Sequence, residues 1–450
     1  MKKNFLSFMV LNVVLFNSSL LVFSEEPLSL DEVRKLALEN SYTVINSTIA
    51  VENSELDRTS TLTSFYPDLS LEGSVGIPYP SIKDGTTSDP SAAYGISLTQ
   101  QLFTGGSRWA ELKQSSLAIT KAKVDLFSVR NQVLETVDGL YLDVLEKSDK
   151  REVASQELEA ARLQLETTKA QYELGTTDRV SYLQVESKYR TKRAAFLQSE
   201  YDLKVSKNTL ATAIGRKGNI EVKPVDSFFL EGEKESGLSE PVGDEQLLQW
   251  IQGISSYARE VNPDLRSLEV ALYMQDTTVQ KQKASLYPTL SFSWSHSFSS
   301  PLEDIAEYTD SGKLSVSISV PLFPYQDKKA SIGKAENERI VLGAQLNEQQ
   351  RKVEAGIEEY VFGIISATEQ RNSAESSLLY AEENYRQVYE KYRLSKATLL
   401  DVSEAESLLS DARYQLLSAR YSLYKYCFGL KYLLGFEDDG KFKEFLSTQA

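Results

Sequence analysis

Apolar and small polar residues alternate with period two in four short segments, and the segments come in two pairs. The first sets Leu69, Leu71, Val75, Ile77 and Tyr79 against Ser70, Glu72, Ser74 and Gly76. The second sets Tyr94, Ile96, Leu98 and Leu102 against Gly95, Ser97, Thr99 and Gln101. Far downstream, Leu290, Phe292, Trp294, His296 and Phe298 alternate with Ser291, Ser293, Ser295 and Ser297. The fourth places Leu314, Val316, Ile318, Val320 and Leu322 around Ser315, Ser317 and Ser319. Period two predicts strands with one apolar and one polar face, over about 68–79, 93–103, 289–299 and 313–323. A tilted strand needs about 9–11 residues to cross a bilayer. Hydrocarbon offers no partner to a sheet edge, so a spanning sheet must close, and the smallest barrels have about eight strands. Four strands cannot close. If they span a membrane, several copies of the chain build the barrel together.

Outside these strands the period is 3.6, and it runs on for unusual lengths. From about Ser107 to Tyr172 no proline occurs, and apolar residues step by three and four through Val133, Val137, Leu140 and Val144, then Leu158, Ala161 and Leu165. A matching stretch from about Asp327 to Tyr392 carries Val353, Ile357, Tyr360 and Ile364. About 65 residues at the helical rise of 1.5 Å make a rod of roughly 100 Å, with coiled-coil spacing. Charged residues on the other faces (Glu135, Asp138, Asp143, Glu146, Lys147, Lys150, Arg151) read mostly as solvated surface.

The two halves repeat each other. At an offset of 220, residues 169–215 align with 389–435 without a gap, through pairs such as Tyr172/Tyr392, Glu186/Glu406, Tyr201/Tyr421, Leu210/Leu430 and Gly215/Gly435. At nearly the same offset Tyr66-Pro67 matches Tyr287-Pro288, and Leu102-Phe103 matches Leu322-Phe323. Each half therefore reads helix, strand, loop, strand, very long helix, turn, helix. Proline at 67 and 288 suits the change from helix to strand, since its ring and missing N–H interrupt the helix. The expected organisation is a leader at 1–24, a first repeat at 25–216, a linker at 217–242, a second repeat at 243–436 and a tail at 437–450.

The leader changes the picture of compartment. Lys2 and Lys3 precede an apolar stretch from Phe5 to Phe23, with Val22 and Ser24 where a signal peptidase prefers small residues. No other segment approaches the apolar length of a spanning helix. A net charge of −15 argues against nucleic acid as a partner. With Cys427 as the single cysteine, no internal disulfide forms. With His296 as the single histidine, His-based catalysis has almost nothing to work with; that register places it near the membrane interface with Tyr79, Tyr94, Trp294 and Phe298. No phosphate loop, nucleophile elbow or paired catalytic acids occur, so neither an enzyme nor a cofactor is expected.

In order and spacing, the chain resembles the outer membrane factor family, the TolC-like outer membrane efflux proteins. The resemblance rests on Ser29-Leu30-Asp31-Glu32-Val33 with Ala37 and Asn40, on the two Tyr-Pro pairs, and on Gln101-Leu102-Phe103-Thr104-Gly105-Gly106 with Ala110. It extends to Tyr172-x-x-Gly175, Tyr392-x-x-Ser395 and Leu400-Asp401-Val402. The second half departs from the pattern where Pro324-Tyr325-Gln326 replaces a glycine pair and where Ser395 replaces glycine.

The resemblance implies a mainly α protein with membrane β: a homotrimer whose four strands per chain make a 12-stranded outer-membrane β-barrel, continued by a long periplasmic α-helical barrel. It implies a passive exit duct of a tripartite efflux pump or type I secretion system, set among outer membrane lipids and working with a periplasmic adaptor (membrane fusion) protein and an inner-membrane pump of the RND, ABC or MFS class. The tips Gly175, Thr176, Thr177, Asp178 and Arg179, and Ser395, Lys396, Ala397 and Thr398, would meet the adaptor. Tyr392, Asp401 and Glu404 fall on aperture positions, where three copies of the two acids would ring the mouth. The family's arginine–aspartate lock does not carry over, because its positions hold Ala397 and Ser181; Asp178 and Arg179 are the nearby candidates for closure. The alternative is a periplasmic coiled-coil adaptor or scaffold, which shares helical hairpins but has no use for two amphipathic strand pairs.

Overall fold

A computed structural model describes residues 27–77, 90–218, 220–224, 243–302, 308–323, 325–394 and 396–449. The leader, Tyr79, Pro324, Ser395 and the linker from 225 to 242 lie outside the described residues. In the first half α1 (Leu30–Asn40) and α2 (Tyr42–Thr63) lead into β1 (Asp68–Gly76) and β2 (Ser91–Thr104), then α3 (Ser107–Glu173) and α4 (Arg179–Ala213). In the second half α5 (Asp244–Val261) and α6 (Pro263–Ala284) lead into β3 (Thr289–Pro301) and β4 (Thr309–Ser319). After them come α7 (Tyr325–Arg393), α8 (Leu399–Leu433) and a short α9 (Asp439–Gln449).

Local chemistry sets these boundaries. Ser29 and Glu32 form a reciprocal capping box at the start of α1. Gly105 and Gly106 turn β2 into α3 at φ of 65° and 94°. A Cβ on Gly105 would lie 2.3 Å from the Ala284 carbonyl oxygen, so the turn packs too closely on the end of α6 for any side chain. β4 stops at Ser319, although apolar alternation continues to Leu322, because Ser319 already pairs with Thr289, where its partner β3 begins after Pro288. The helices α3 and α7 are 67 and 69 residues long.

The duplication is built into the packing. Buried Val137, Val144, Ala154 and Ala161 of α3 recur at the same offset as buried Ile357, Ile364, Ala374 and Ala381 of α7. Asn40 donates to the Ile214 carbonyl at 3.0 Å, and Asn262 donates to the Leu433 carbonyl at 2.9 Å. One core cluster joins α1, α3, α4 and α8 through Val33, Tyr141, Leu210 and Phe428. The other joins α5, α6, α7 and α8 through Ile254, Leu265, Ile357 and Leu430, with Phe442 of α9. Ile220, in the segment read as linker, is buried in the first core, and Tyr141 donates to the carbonyls of Leu28 and Lys223 at 3.0 and 2.6 Å.

Two charged positions of α3 that read as solvated are inside. Asp138 is fully buried and accepts from the Arg34 guanidinium at 2.8 and 2.5 Å and from the Tyr432 hydroxyl at 2.5 Å. Arg34 also reaches Asp439 at 2.7 Å, and Asp439 accepts from the fully buried Lys431. Both cations lie over the Phe428 ring. This node ties α1, α3, α8 and α9 together. Glu146 is likewise buried, paired with Lys150 at 2.7 Å and Lys425 at 3.0 Å. The reason is tertiary: a partner from another helix replaces the water that an isolated carboxylate would require.

Candidate functional site

The four strands form one antiparallel sheet in chain order, hydrogen-bonded through β2 and β3. Register sorts its side chains into rows. Leu69, Leu98, Trp294 and Leu314 stand in one row across the sheet, and Leu71, Ile96, His296 and Gly312 in the next but one. On the opposite face the rows are Ser70, Ser97, Ser295, Lys313 and Glu72, Gly95, Ser297, Ser311. Serine pairs bond across strands: Ser70 with Ser97 at 2.7 Å, Ser293 with Ser315 at 2.7 Å, Ser297 with Ser311 at 3.0 Å. The apolar face is uncovered, with Leu71 77%, Leu314 68% and Ile318 70% exposed in the chain alone. A bulge between Gln101 and Phe103 leaves Leu102 outside the pairing.

His296 sits on the apolar face, its ring lying against Gly312 and meeting the Phe298 ring edge-on at 4.7 Å. Phe298 stacks on Tyr94 at 5.1 Å. The histidine thus belongs to an aromatic group, with the Asp310 carboxylate 3.8 Å from its Nε2.

At the far end of the long helices lie two turns. In the first, Gly175 takes φ 73° and the Thr176 N–H returns to the Gln171 carbonyl at 2.8 Å, while the Thr176 hydroxyl bonds the same oxygen at 2.9 Å. In the second, the Lys396 N–H returns to the Lys391 carbonyl at 2.8 Å without a glycine at the equivalent place. Thr177 and Ala397 are half-buried; Arg179 and Lys396 are exposed. Tyr172 stacks on Tyr182 at 5.4 Å, and its repeat partner Tyr392 is half-buried.

Both turns end in a helix cap, and the two caps exchange roles. Asp178 caps α4, accepting from the Val180 and Ser181 N–H groups at 2.7 and 2.9 Å and from the Ser181 hydroxyl at 3.0 Å. At the repeated positions Thr398 caps α8, accepting from the Asp401 N–H at 3.2 Å, while Asp401 accepts from the Thr398 N–H and hydroxyl at 2.7 and 2.8 Å. Bonds from Ser181 hold the Asp178 carboxyl below its usual range, and bonds from Thr398 do the same for Asp401. Asp401 and Glu404 are both exposed and one turn apart, but only Asp401 is tied into a cap. A capping role for the acid could have been read from Thr398-x-x-Asp401; the buried partners of Asp138 had no local signal. Among the described residues no group of His, Cys, Asp or Glu is arranged to hold a metal ion.

The sequence profile of the outer membrane efflux protein family matches residues 33–216 and 254–435. The chain belongs to that family. Outer membrane protein TolC of Vibrio cholerae is 20% identical over 334 residues, which is 73% of each chain. Among solved structures, CusC superposes with a TM-score of 0.76 at 17% identity, covering 90% of this chain and 92% of its own. VceC of Vibrio cholerae gives 0.73 at 16% identity, over 90% and 96%. The MtrE outer membrane channel of Neisseria gonorrhoeae gives 0.71 at 17% identity, over 90% and 89%. The efflux protein is therefore a TolC-like channel of the outer membrane with a large periplasmic part. Its family consists of channels rather than enzymes or periplasmic adaptors, so the scaffold reading gives way.

Proposed function

We propose that three copies of this chain form a passive exit duct: a 12-stranded barrel through the outer membrane continued by a 12-helix periplasmic tube. The observation that carries this reading is a sheet with lipid-type side chains on one face, hydrogen-bonded serines on the other, and unpaired edges at β1 and β4. In hydrocarbon each unpaired backbone group costs several kcal/mol, and joining β4 of one copy to β1 of the next removes both edges. Hydroxyl rows facing inward would keep the lumen wet without holding cargo. Substrate would arrive from an inner-membrane pump of the RND, ABC or MFS class through a periplasmic adaptor that meets the two turns. Tyr392, Asp401 and Glu404 would line the mouth, with six carboxylates drawing cations electrostatically. Asp178, engaged in its cap, is less available for closure than Arg179.

Purified protein should migrate on SDS gels as a trimer that separates on heating, and should conduct ions in planar bilayers. Trivalent cations on the helix side should block that current. Asp401→Asn with Glu404→Gln removes the charge while leaving a capping oxygen, so the block should weaken at least tenfold with the trimer intact. A monomer without conductance would sink the duct; block unchanged in the double variant would remove the two acids from the mouth.

A further inference from the structure

The apolar face of the sheet ends, on the helix side, in a collar of aromatic rings and cations. Gln100, opposite Phe292 on that face, donates to the Phe65 carbonyl at 3.3 Å and so ties the segment after α2 to the base of the face. Trp109 meets the Phe65 ring edge-on at 5.2 Å, and the Arg108 guanidinium lies 5.3 Å from the same ring. A Cβ on Gly105 would lie 2.9 Å from the Tyr287 Cβ, so the collar runs on from the start of α3 to the residues that follow α6. Tyr66, Trp109 and Tyr287 are 71%, 69% and 58% exposed.

The cations recur with the repeat. Arg108 donates to the Gln101 carbonyl at 2.6 Å; at the offset of 220, Lys328 donates to the Ser285 carbonyl at 2.5 Å. Lys329 beside it lies 5.0 Å from the Tyr325 ring. Among the described residues none of these three cations pairs with a carboxylate, in a chain of net charge −15. Further along the same helices Lys281, Lys283 and Arg339 do pair, with Glu111, Glu336 and Asp276. One N–H of each bonded head group goes to a carbonyl, so Arg108 and Lys328 both keep donors for an anion. The described strands add a single cation, Lys313, and it stands on the hydroxyl face.

We propose that this collar is a headgroup site for anionic phospholipid in the leaflet on the helix side. Arg108 and Lys328 take the lipid phosphates, Lys329 adds charge, and Tyr66, Trp109 and Tyr287 lie along the glycerol and upper acyl chains. Lipid is the occupant because the collar continues the face read as lipid-facing. Its exposed rings suit the boundary between hydrocarbon and headgroups, and a soluble anion would leave them bare. The inference rests on the barrel proposed above and adds which headgroup it selects, at which end and through which residues.

The test is tryptophan quenching in phosphatidylcholine vesicles doped with acyl-brominated phosphatidylcholine or phosphatidylglycerol. Trp294→Phe leaves Trp109 to report on the collar, and Trp109→Phe leaves Trp294 to report on the middle of the sheet. At Trp109 brominated phosphatidylglycerol should associate roughly fivefold or more over brominated phosphatidylcholine, as a cation beside an anionic headgroup supplies. At Trp294 the two lipids should quench alike. Arg108→Gln with Lys328→Gln and Lys329→Gln should bring the Trp109 preference close to parity, whereas Arg108→Lys with both lysines intact should keep it. A preference absent in the parent protein, or retained in the triple glutamine variant, overturns the site while quenching at Trp294 leaves the barrel standing. A preference that inorganic phosphate removes, and chloride of equal ionic strength does not, assigns the cations to a soluble anion and overturns the lipid. No quenching at Trp294 by either lipid overturns the barrel reading, and the collar with it.

Discussion

Asp439 shows how a single carboxylate of α9 comes to hold α1 and α8 as well. Burial works to raise its pKa, and bonds from Arg34 and Lys431 outweigh burial and hold it below the usual carboxylate range. Burial pushes the Lys431 ammonium down, the Arg34 charge adds to that, and Asp439 pulls the other way. A carboxyl lowered on folding contributes stability that is present above its unfolded pKa and lost as pH falls through the folded one. The helical part should therefore loosen in acid below about pH 4, the unfolded carboxylate value. Asp439→Asn should cost roughly 3 kcal/mol at neutral pH, as breaking a buried pair does. It should also flatten the acid limb, read by thermal melting followed by circular dichroism. Equal melting of both proteins at pH 7 would remove the node from the stability of the fold. None of this was legible in the sequence, where Asp138 looked like any charged position on a long helix.

At the level of elements the alternation of side chains was the readable signal, because period two assigns each residue to a face before any partner is known. The paired rows through Ile96 and His296, and through Ser97 and Ser295, follow that assignment. Two features escaped it. The bulge at Leu102 depends on how β2 meets β3, and the end of β4 is set by where β3 begins, against a pattern that continues. Ile318 and Ser317 are neighbours on opposite faces. Ile318→Arg should abolish most membrane assembly, since arginine facing lipid costs roughly 2–4 kcal/mol near the midplane in each copy. Ser317→Leu should assemble at near wild-type levels and alter conductance. Outer-membrane yields that fall equally for both would refute the assignment of faces.

For the whole molecule, the long helices leave one end of the sheet while Gly76, Ser91, Pro301 and Thr309 end its strands at the other, which fixes a topology. Thr309 begins β4 at the connection end, and Thr177 lies at the opposite extreme of the helices. Cysteines at Thr309, in a Cys427→Ser background, should react with an impermeant maleimide on intact cells, whereas cysteines at Thr177 should react only after the outer membrane is opened. The reverse pattern would invert the molecule. The order of the repeats was legible because the Tyr-Pro pairs and the helix-ending glycines 215 and 435 recur at nearly one spacing; how α9 closes the structure was not, since Phe442 and Asp439 act through helices distant in the chain. That closure bears on biogenesis. Arg34 and Asp439 are separated by 405 positions. During synthesis the first partner emerges long before the last, leaving its side of the node without Asp439. A polypeptide bound for the outer membrane must stay export-competent until it has crossed the inner one, and a keystone 405 positions downstream of its partner keeps this node open until both repeats have been made.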